Sequence, residues 1–232
     1  MNKILRMQLE RDELSEKLGG GIPEASLMLI EGNDGGGKSI LAQRLTYGFI
    51  KNGTTVTYIS SELHTMGFVD QMSSIGYDIT ESILHENLTF IPMFPYLGNV
   101  KLRDNFIDRL IKTKRLFQNE VIIVDTLSYL IVHDKTSKEK VFDIINFFKK
   151  MLSLGKTIIF CVDPQHLNDE FLNIVRAVAD IYITVEAKEV LGSLLRVASV
   201  KRFRRAENEI IIQFPFKVEP RVGLSIELAS LS

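Results

Sequence analysis

The hydrophobic positions of this chain follow two different periods. Short, nearly continuous apolar runs occur at 27–31, 54–60, 88–91, 120–126 and 157–162. Runs of this length, rich in Val, Ile and aromatic residues and closed by polar residues, predict strands buried on both faces, as in a parallel sheet. Between them the apolar residues recur at helical spacing. A helix is predicted from Ile40 onward, another over 65–75 that stops at Gly76, and a third over 100–117 with Leu102, Phe106, Leu110 and Phe117 on one stripe and Ile107 and Ile111 beside them. A fourth opens at the capping box Thr136-Ser137-Lys138-Glu139, carries Val141, Ile144, Ile145, Phe148 and Leu152 on one face, and ends at Gly155. Residues 169–179 also read as helical, and 2–18 as a charged helix with Glu13 facing Lys17 four positions on. The run Leu18-Gly19-Gly20-Gly21-Ile22-Pro23 ends that helix, either as a simple cap and turn or as a loop folded beside a binding site. From residue 180 the pattern becomes strand after strand: 181–186, 193–200, 210–214 and 222–228. The fold class that follows is α/β: a mostly parallel central sheet flanked by helices, with an antiparallel C-terminal extension. No linker divides the chain, so residues 1–232 read as a single domain.

The loop after the first apolar run is Gly32-Asn33-Asp34-Gly35-Gly36-Gly37-Lys38-Ser39, which matches G-x-x-x-x-G-K-[ST] between a strand and a helix. Glycines let the backbone close around phosphates, and the loop N–H groups with the helix N-terminus direct positive partial charge at an anion. Asn33, Asp34, Gly35, Gly36, Gly37, Lys38, Ser39 and Ile40 are therefore the predicted nucleotide-binding residues. Lys38 reaches the β- and γ-phosphates and the Ser39 hydroxyl suits Mg²⁺. A glycine-rich turn that merely carries Lys-Ser is the plain alternative, and the flanking strand and helix weigh against it. Asp125 closes an apolar strand downstream, where a carboxylate sits beside the phosphates and reaches the same metal. Glu62 ends another strand. It is either a base for the water that attacks the γ-phosphate or an exposed loop residue. Ser60 and Ser61 beside it read as turn residues, with phosphoryl acceptance as the alternative. The dense basic run Lys201-Arg202-Phe203-Arg204-Arg205 admits three readings: a solvated strand end, a nucleic-acid phosphate contact, or a cationic group reaching a neighbouring subunit's γ-phosphate.

Composition narrows these choices. Net charge is −1 and apolar residues make up 45%, so nothing global favours nucleic acid or an anionic surface, and the chain is not disordered. A single cysteine, Cys161, sits inside an apolar run and allows no disulfide framework. His64, His85, His133 and His166 lack metal-ligand spacing. No apolar run approaches the roughly 18 residues of a membrane span, and the N-terminus lacks a secretory h-region, which predicts a cytoplasmic location.

Taken together, Leu18-Gly19-Gly20-Gly21-Ile22-Pro23, the phosphate loop, Tyr58-Ile59-Ser60-Ser61-Glu62, the strand ending at Asp125 and the basic run after Val200 resemble a RecA/KaiC-type ATPase core over nearly the whole chain. The resemblance implies a RecA-like P-loop fold, ATP rather than GTP, and Mg²⁺ held by Ser39 and Asp125. It also implies Glu62 and Lys38 as the catalytic pair, and Lys201, Arg202 and Arg204 as candidates for the family's trans-acting cation. Within that group the chain is similar to the accessory ATP-binding proteins of the archaellum (archaeal flagellum) motor, through its single-domain length and the ending Phe214-Pro215-Phe216-Lys217-Val218-Glu219-Pro220-Arg221. That likeness implies a hexameric ring with weak or no turnover, cytoplasmic and peripheral at the inner face of the membrane. Its partners would be a scaffold ring and the motor's secretion-type ATPase. The alternatives are an active KaiC-like ATPase or autokinase and a RecA-type DNA-dependent ATPase. Two departures bear on them: KaiC itself has tandem domains, and the stretch 163–170, where recombinases carry a DNA-binding loop, is acidic here.

Overall fold

The computed structural model describes residues 3–93, 112–133, 138–190 and 193–227. Its elements in chain order are β1 (Ile4–Leu5), α1 (Leu14–Lys17), β2 (Ile22–Pro23), β3 (Leu27–Glu31), α2 (Lys38–Lys51), β4 (Val56–Ser60), α3 (Thr65–Ser74), α4 (Thr80–Leu84), β5 (Leu88–Pro92), β6 (Val121–Asp125), α5 (Leu127–His133), α6 (Lys138–Ser153), β7 (Thr157–Val162), α7 (Asp169–Val178), β8 (Ile181–Val190), β9 (Ser193–Phe203), β10 (Gln213–Glu219) and β11 (Gly223–Ile226). Nine strands form one sheet in the order β11-β10-β9-β8-β3-β7-β6-β4-β5, and β1 pairs with β2 apart from it. Strands β8, β3, β7, β6, β4 and β5 are mutually parallel. Strands β9, β10 and β11 extend the sheet antiparallel. The predicted fold class is the observed one.

Strand alternation sorts the core into two layers. Met28 and Ile30, Val121 and Ile123, and Ile159 and Cys161 pack with Leu41, Ala42 and Leu45 of α2 on one face. Leu27 and Leu29, Ile122 and Val124, and Ile158 and Phe160 pack with α5, α6 and α7 on the other. Burying such a Leu, Ile or Phe contributes about 1.5–3 kcal/mol each, so a sheet covered on both faces is the stable arrangement for this pattern. Among the helical positions, Ile144, Ile145 and Phe148 are buried as predicted. The stripe at 100–111, the capping residues Thr136 and Ser137, and Leu228 lie outside the described residues.

Two local expectations are corrected. Residues 2–18 are not one helix: β1, a Leu9–Asp12 bridge and the short α1 replace it. The i,i+4 charges that suggested a helix are real at Lys17–Glu13 (3.3 Å), but a distant demand outweighs local propensity upstream. Arg44 of α2 is fully buried, and its Nε and Nη2 donate to the Asp12 carboxylate at 2.6 and 2.7 Å while Nη1 donates to the Met7 carbonyl. An extended strap delivers those acceptors, and a helix over 2–18 would not. The strand expected at 210–214 begins instead at Gln213 and runs through Pro215, leaving Ile211 and Ile212 exposed. Pro215 is tolerated because its backbone faces the end of β11, where its carbonyl accepts from the Glu227 N–H and no donor of its own is required. Helices α4 and α5 were not anticipated from the sequence.

Candidate functional site

The phosphate loop leaves β3 at the C-terminal edge of the parallel strands. A Cβ on Gly32 would lie 2.3 Å from the Val185 carbonyl, so only glycine lets the loop start this close to β8. Gly37 adopts φ 104° at the start of α2 and packs against Arg196 of β9. Within the loop the Gly36 N–H donates to the Asn33 carbonyl and the Gly35 N–H to the Asp34 side chain. Lys38 is buried; its Nζ donates to the Asn33 carbonyl at 2.8 Å and lies 3.7 Å from the buried Asp163 carboxylate. Beside the loop lies an open pocket of about 210 Å³ whose lining includes Asp34, Lys38, Ser39, Ile40, Glu62 and Asp125.

The period-two parity of β6 turns Asp125 toward α2. Its Oδ1 accepts from the Ser39 hydroxyl at 3.1 Å and from the Thr126 hydroxyl at 3.3 Å, and its Oδ2 from the buried Tyr58 hydroxyl at 2.6 Å. The same Thr126 hydroxyl lies closer to Glu62 Oε1, at 3.0 Å, so its single proton is shared between the two carboxylates. Burial, and then the nearby Asp125, pushes the Glu62 carboxyl above its ordinary range, against lowering by the Thr126 hydrogen bond and Lys38. Glu62 is exposed, and its carboxylate lines the pocket and meets the Thr126 hydroxyl. Ser60 and Ser61 are buried. Ser60 Oγ accepts the N–H groups of Glu62 and Leu63, and Ser61 Oγ accepts that of Thr126, so both act as turn residues.

Ser39 and Asp125 fit a Mg²⁺ ion that keeps waters and phosphate oxygens as its other ligands. Among the described residues no group of three or more His, Cys, Asp or Glu could hold a metal alone. Among them, too, no helix is long and apolar enough to cross a membrane.

The structure thus brings together Asn33 through Ile40, Glu62 and Asp125. It does not bring the basic run to the same place. Arg202 pairs with Tyr182, which pairs with Leu29, so the run lies at the N-terminal edge, roughly 10 Å or more along the strands from the chain's own loop. Lys201 is exposed and is the extra residue of a β-bulge between the Tyr182–Arg202 and Ile183–Val200 pairs. Arg202 Nη1 donates to the carbonyls of Arg176 and Ala179, capping the C-terminal end of α7. Arg204 is more than half exposed, 3.5 Å from Asp180, and Arg205 donates to the Glu24 and Ala25 carbonyls. The Gly19-Gly20-Gly21 loop also lies at that edge, against Leu5 and Asn208, as the turn reading has it.

Two site residues escaped the sequence reading. Asp163 holds Lys38, and its position at a strand's C-terminal end was the available signal. Arg196 lines the pocket, and its buried Nε finds no hydrogen-bond partner among the described residues. Lying five residues before the basic run and inside an apolar strand, it carried no local signal.

Comparison with known proteins agrees with this geometry. A family model described as "ATPase: KaiC" matches residues 11–228. The archaeal flagellar ATP-binding protein FlaH of Methanocaldococcus jannaschii is 37% identical over 99% of this chain and 98% of its own length. The FlaH of Methanococcus voltae is 34% identical over 99% of this chain and all of its own. The crystal structure of flagellar accessory protein FlaH from M. jannaschii superposes with a TM-score of 0.92, covering 98% of this chain and 100% of that one. A KaiC-like protein from Pyrococcus horikoshii shares the fold at 16% identity, with a TM-score of 0.78 over 98% of this chain and 100% of its own.

Proposed function

The chain belongs to the KaiC family of ATPases, in its archaeal flagellar FlaH branch, and on that premise we propose that it binds MgATP as an assembly component of the archaellum motor. The observation that carries this reading is the convergence of Lys38, Ser39 and Asp125 on one side of an open polar pocket at the mouth of a glycine loop. Loop N–H groups and Lys38 hold the phosphates, with Lys38 leaving the Asn33 carbonyl to do so. Ser39 and Asp125 would hold Mg²⁺, which would supply positive charge to offset that of the phosphates. Glu62, its carboxyl raised by burial and by Asp125, lines the same pocket as the candidate base for the attacking water, and weak or no turnover by the isolated chain is proposed from its likeness to the FlaH proteins alone. In the cell the protein works in the cytoplasm as a hexameric ring beneath the membrane platform, inside a scaffold ring and against the motor ATPase. In that ring Lys201 and Arg204 are the trans-acting candidates, because Arg202 is committed to α7. A net charge of −1 and the acidic stretch after Asp163 argue against the DNA-dependent alternative.

Calorimetry tests the site: MgATP should bind wild type, and Lys38→Ala should lose affinity many-fold. Equal affinity of the two proteins refutes the assignment. Light scattering tests the ring. The wild type should gain mass with MgATP more than with MgADP, and a Lys201→Ala/Arg204→Ala variant should not. Identical masses in all conditions refute the trans contact.

A further inference from the structure

We propose that Tyr58 is a positioning residue of the metal site, fixing which oxygen of Asp125 faces Mg²⁺. The inference rests on the MgATP reading above and names a group that reading does not use. Tyr58 is fully buried in the middle of β4. Parallel pairing sets Tyr58 level with Ile123 and Ser60 level with Asp125, and both side chains point to the α2 face. The ring is held by Phe68 of α3 at 4.8 Å and Phe90 of β5 at 6.1 Å between centroids. A phenylalanine would fill the same space without burying a hydroxyl, and an unmatched buried hydroxyl is costly. Here the hydroxyl is matched by one acceptor, Asp125 Oδ2, at 2.6 Å. A carboxylate oxygen can only accept, so the phenol O–H is the donor of this bond.

The two carboxylate oxygens are therefore unequal. Oδ2 is turned into the core and committed to Tyr58. Oδ1 is turned toward Ser39 and the pocket, where it meets the Ser39 and Thr126 hydroxyls. Without the phenol, Asp125 could rotate about its terminal bond, and a metal would have to order it on binding. An anchored Oδ1 is ready for Mg²⁺ or for a water in its shell.

The test separates metal-dependent from metal-independent binding. ATP affinity is measured by calorimetry for wild type, Tyr58→Phe, Asp125→Asn and the double variant, each with excess Mg²⁺ and with EDTA. Mn²⁺ affinity of each ATP complex is read by electron paramagnetic resonance. Tyr58→Phe should weaken Mn²⁺ and MgATP binding about tenfold and leave ATP affinity in EDTA unchanged. On the Asp125→Asn background it should add no further loss. Equal weakening with and without metal, or unchanged Mn²⁺ affinity, overturns the proposal, since a purely packing role would produce one of those results. If wild type binds no ATP in either condition, the nucleotide reading itself fails, a different and recognisable outcome.

Discussion

Asp12→Ala should unfold this protein early, although Asp12 is far in sequence from the phosphate loop. Arg44 lies on α2, one and a half turns beyond Ser39, and its side chain is 0% exposed. Asp12 supplies two of the three acceptors of that guanidinium, at 2.6 and 2.7 Å, and the Met7 carbonyl supplies the third at 3.0 Å. Removing Asp12 leaves a permanent cation in the core with one carbonyl. Breaking a buried pair this way costs about 3–5 kcal/mol. For a chain of 232 residues each kcal/mol lowers Tm by about 2–4 °C, so the expected fall is roughly 6–20 °C. The double variant Arg44→Met/Asp12→Leu replaces both partners with apolar groups and should recover most of the loss. Thermal melts by circular dichroism, with urea titrations at pH 7, give the four corners of the cycle. A Tm for Asp12→Ala within about 2 °C of wild type would refute the reasoning, as would a double variant no more stable than the worse single one.

Lys38→Met should lower the Tm of the nucleotide-free protein as well as nucleotide affinity, because the buried Asp163 loses its cation; adding Asp163→Asn should restore the Tm but not the binding. Glu62→Gln should be more stable than wild type at pH 8 and no different near pH 4. The folded Glu62 carboxyl titrates above its unfolded value of about 4.5, so its contribution is full below that value and is lost as pH rises through the folded one. A Tm difference that does not change with pH would contradict the shift. Arg196→Met should weaken nucleotide binding by about tenfold or more in calorimetry, with Arg196→Lys a poor substitute, if the unmatched Nε is waiting for a ligand oxygen.

What the sequence made legible followed from short-range rules. The strand before Gly32, the loop and α2 are contiguous, so spacing alone placed Lys38 and Ser39. The apolar run ending at Asp125 needed only the rule that open α/β sheets bind at strand C-termini. Asp12 and Arg44, 32 positions apart, were beyond such rules: the requirement to satisfy one buried guanidinium overrode the helical charge spacing of residues 2–18. Arg196 and Tyr58 were hidden differently. Each sits within a strand whose pattern reads as core, and their roles depend on which strand lies next to which. The basic run was legible as chemistry but not as location, because its edge of the sheet is set by the β8–β9 register.

That register contains a deliberate miscount. Counting along β9 in twos from Arg196 through Ala198 and Val200 would bring Arg202 to the α2 side, yet the residue packed there is Phe203, and Arg202 instead holds the carbonyls at the end of α7. Lys201 is the spare residue that shifts the count. Ironing the bulge out with Lys201 still in the chain would swap front for back in everything that follows, burying a guanidinium where a phenyl ring belongs and leaving α7 uncapped. Deleting Lys201 would remove the bulge and leave Arg202 opposite Tyr182 and Phe203 opposite Ile181, each on the face it has now. Lys201 should therefore accept many side chains and even its own removal, while Arg202 and Phe203 keep their opposite faces.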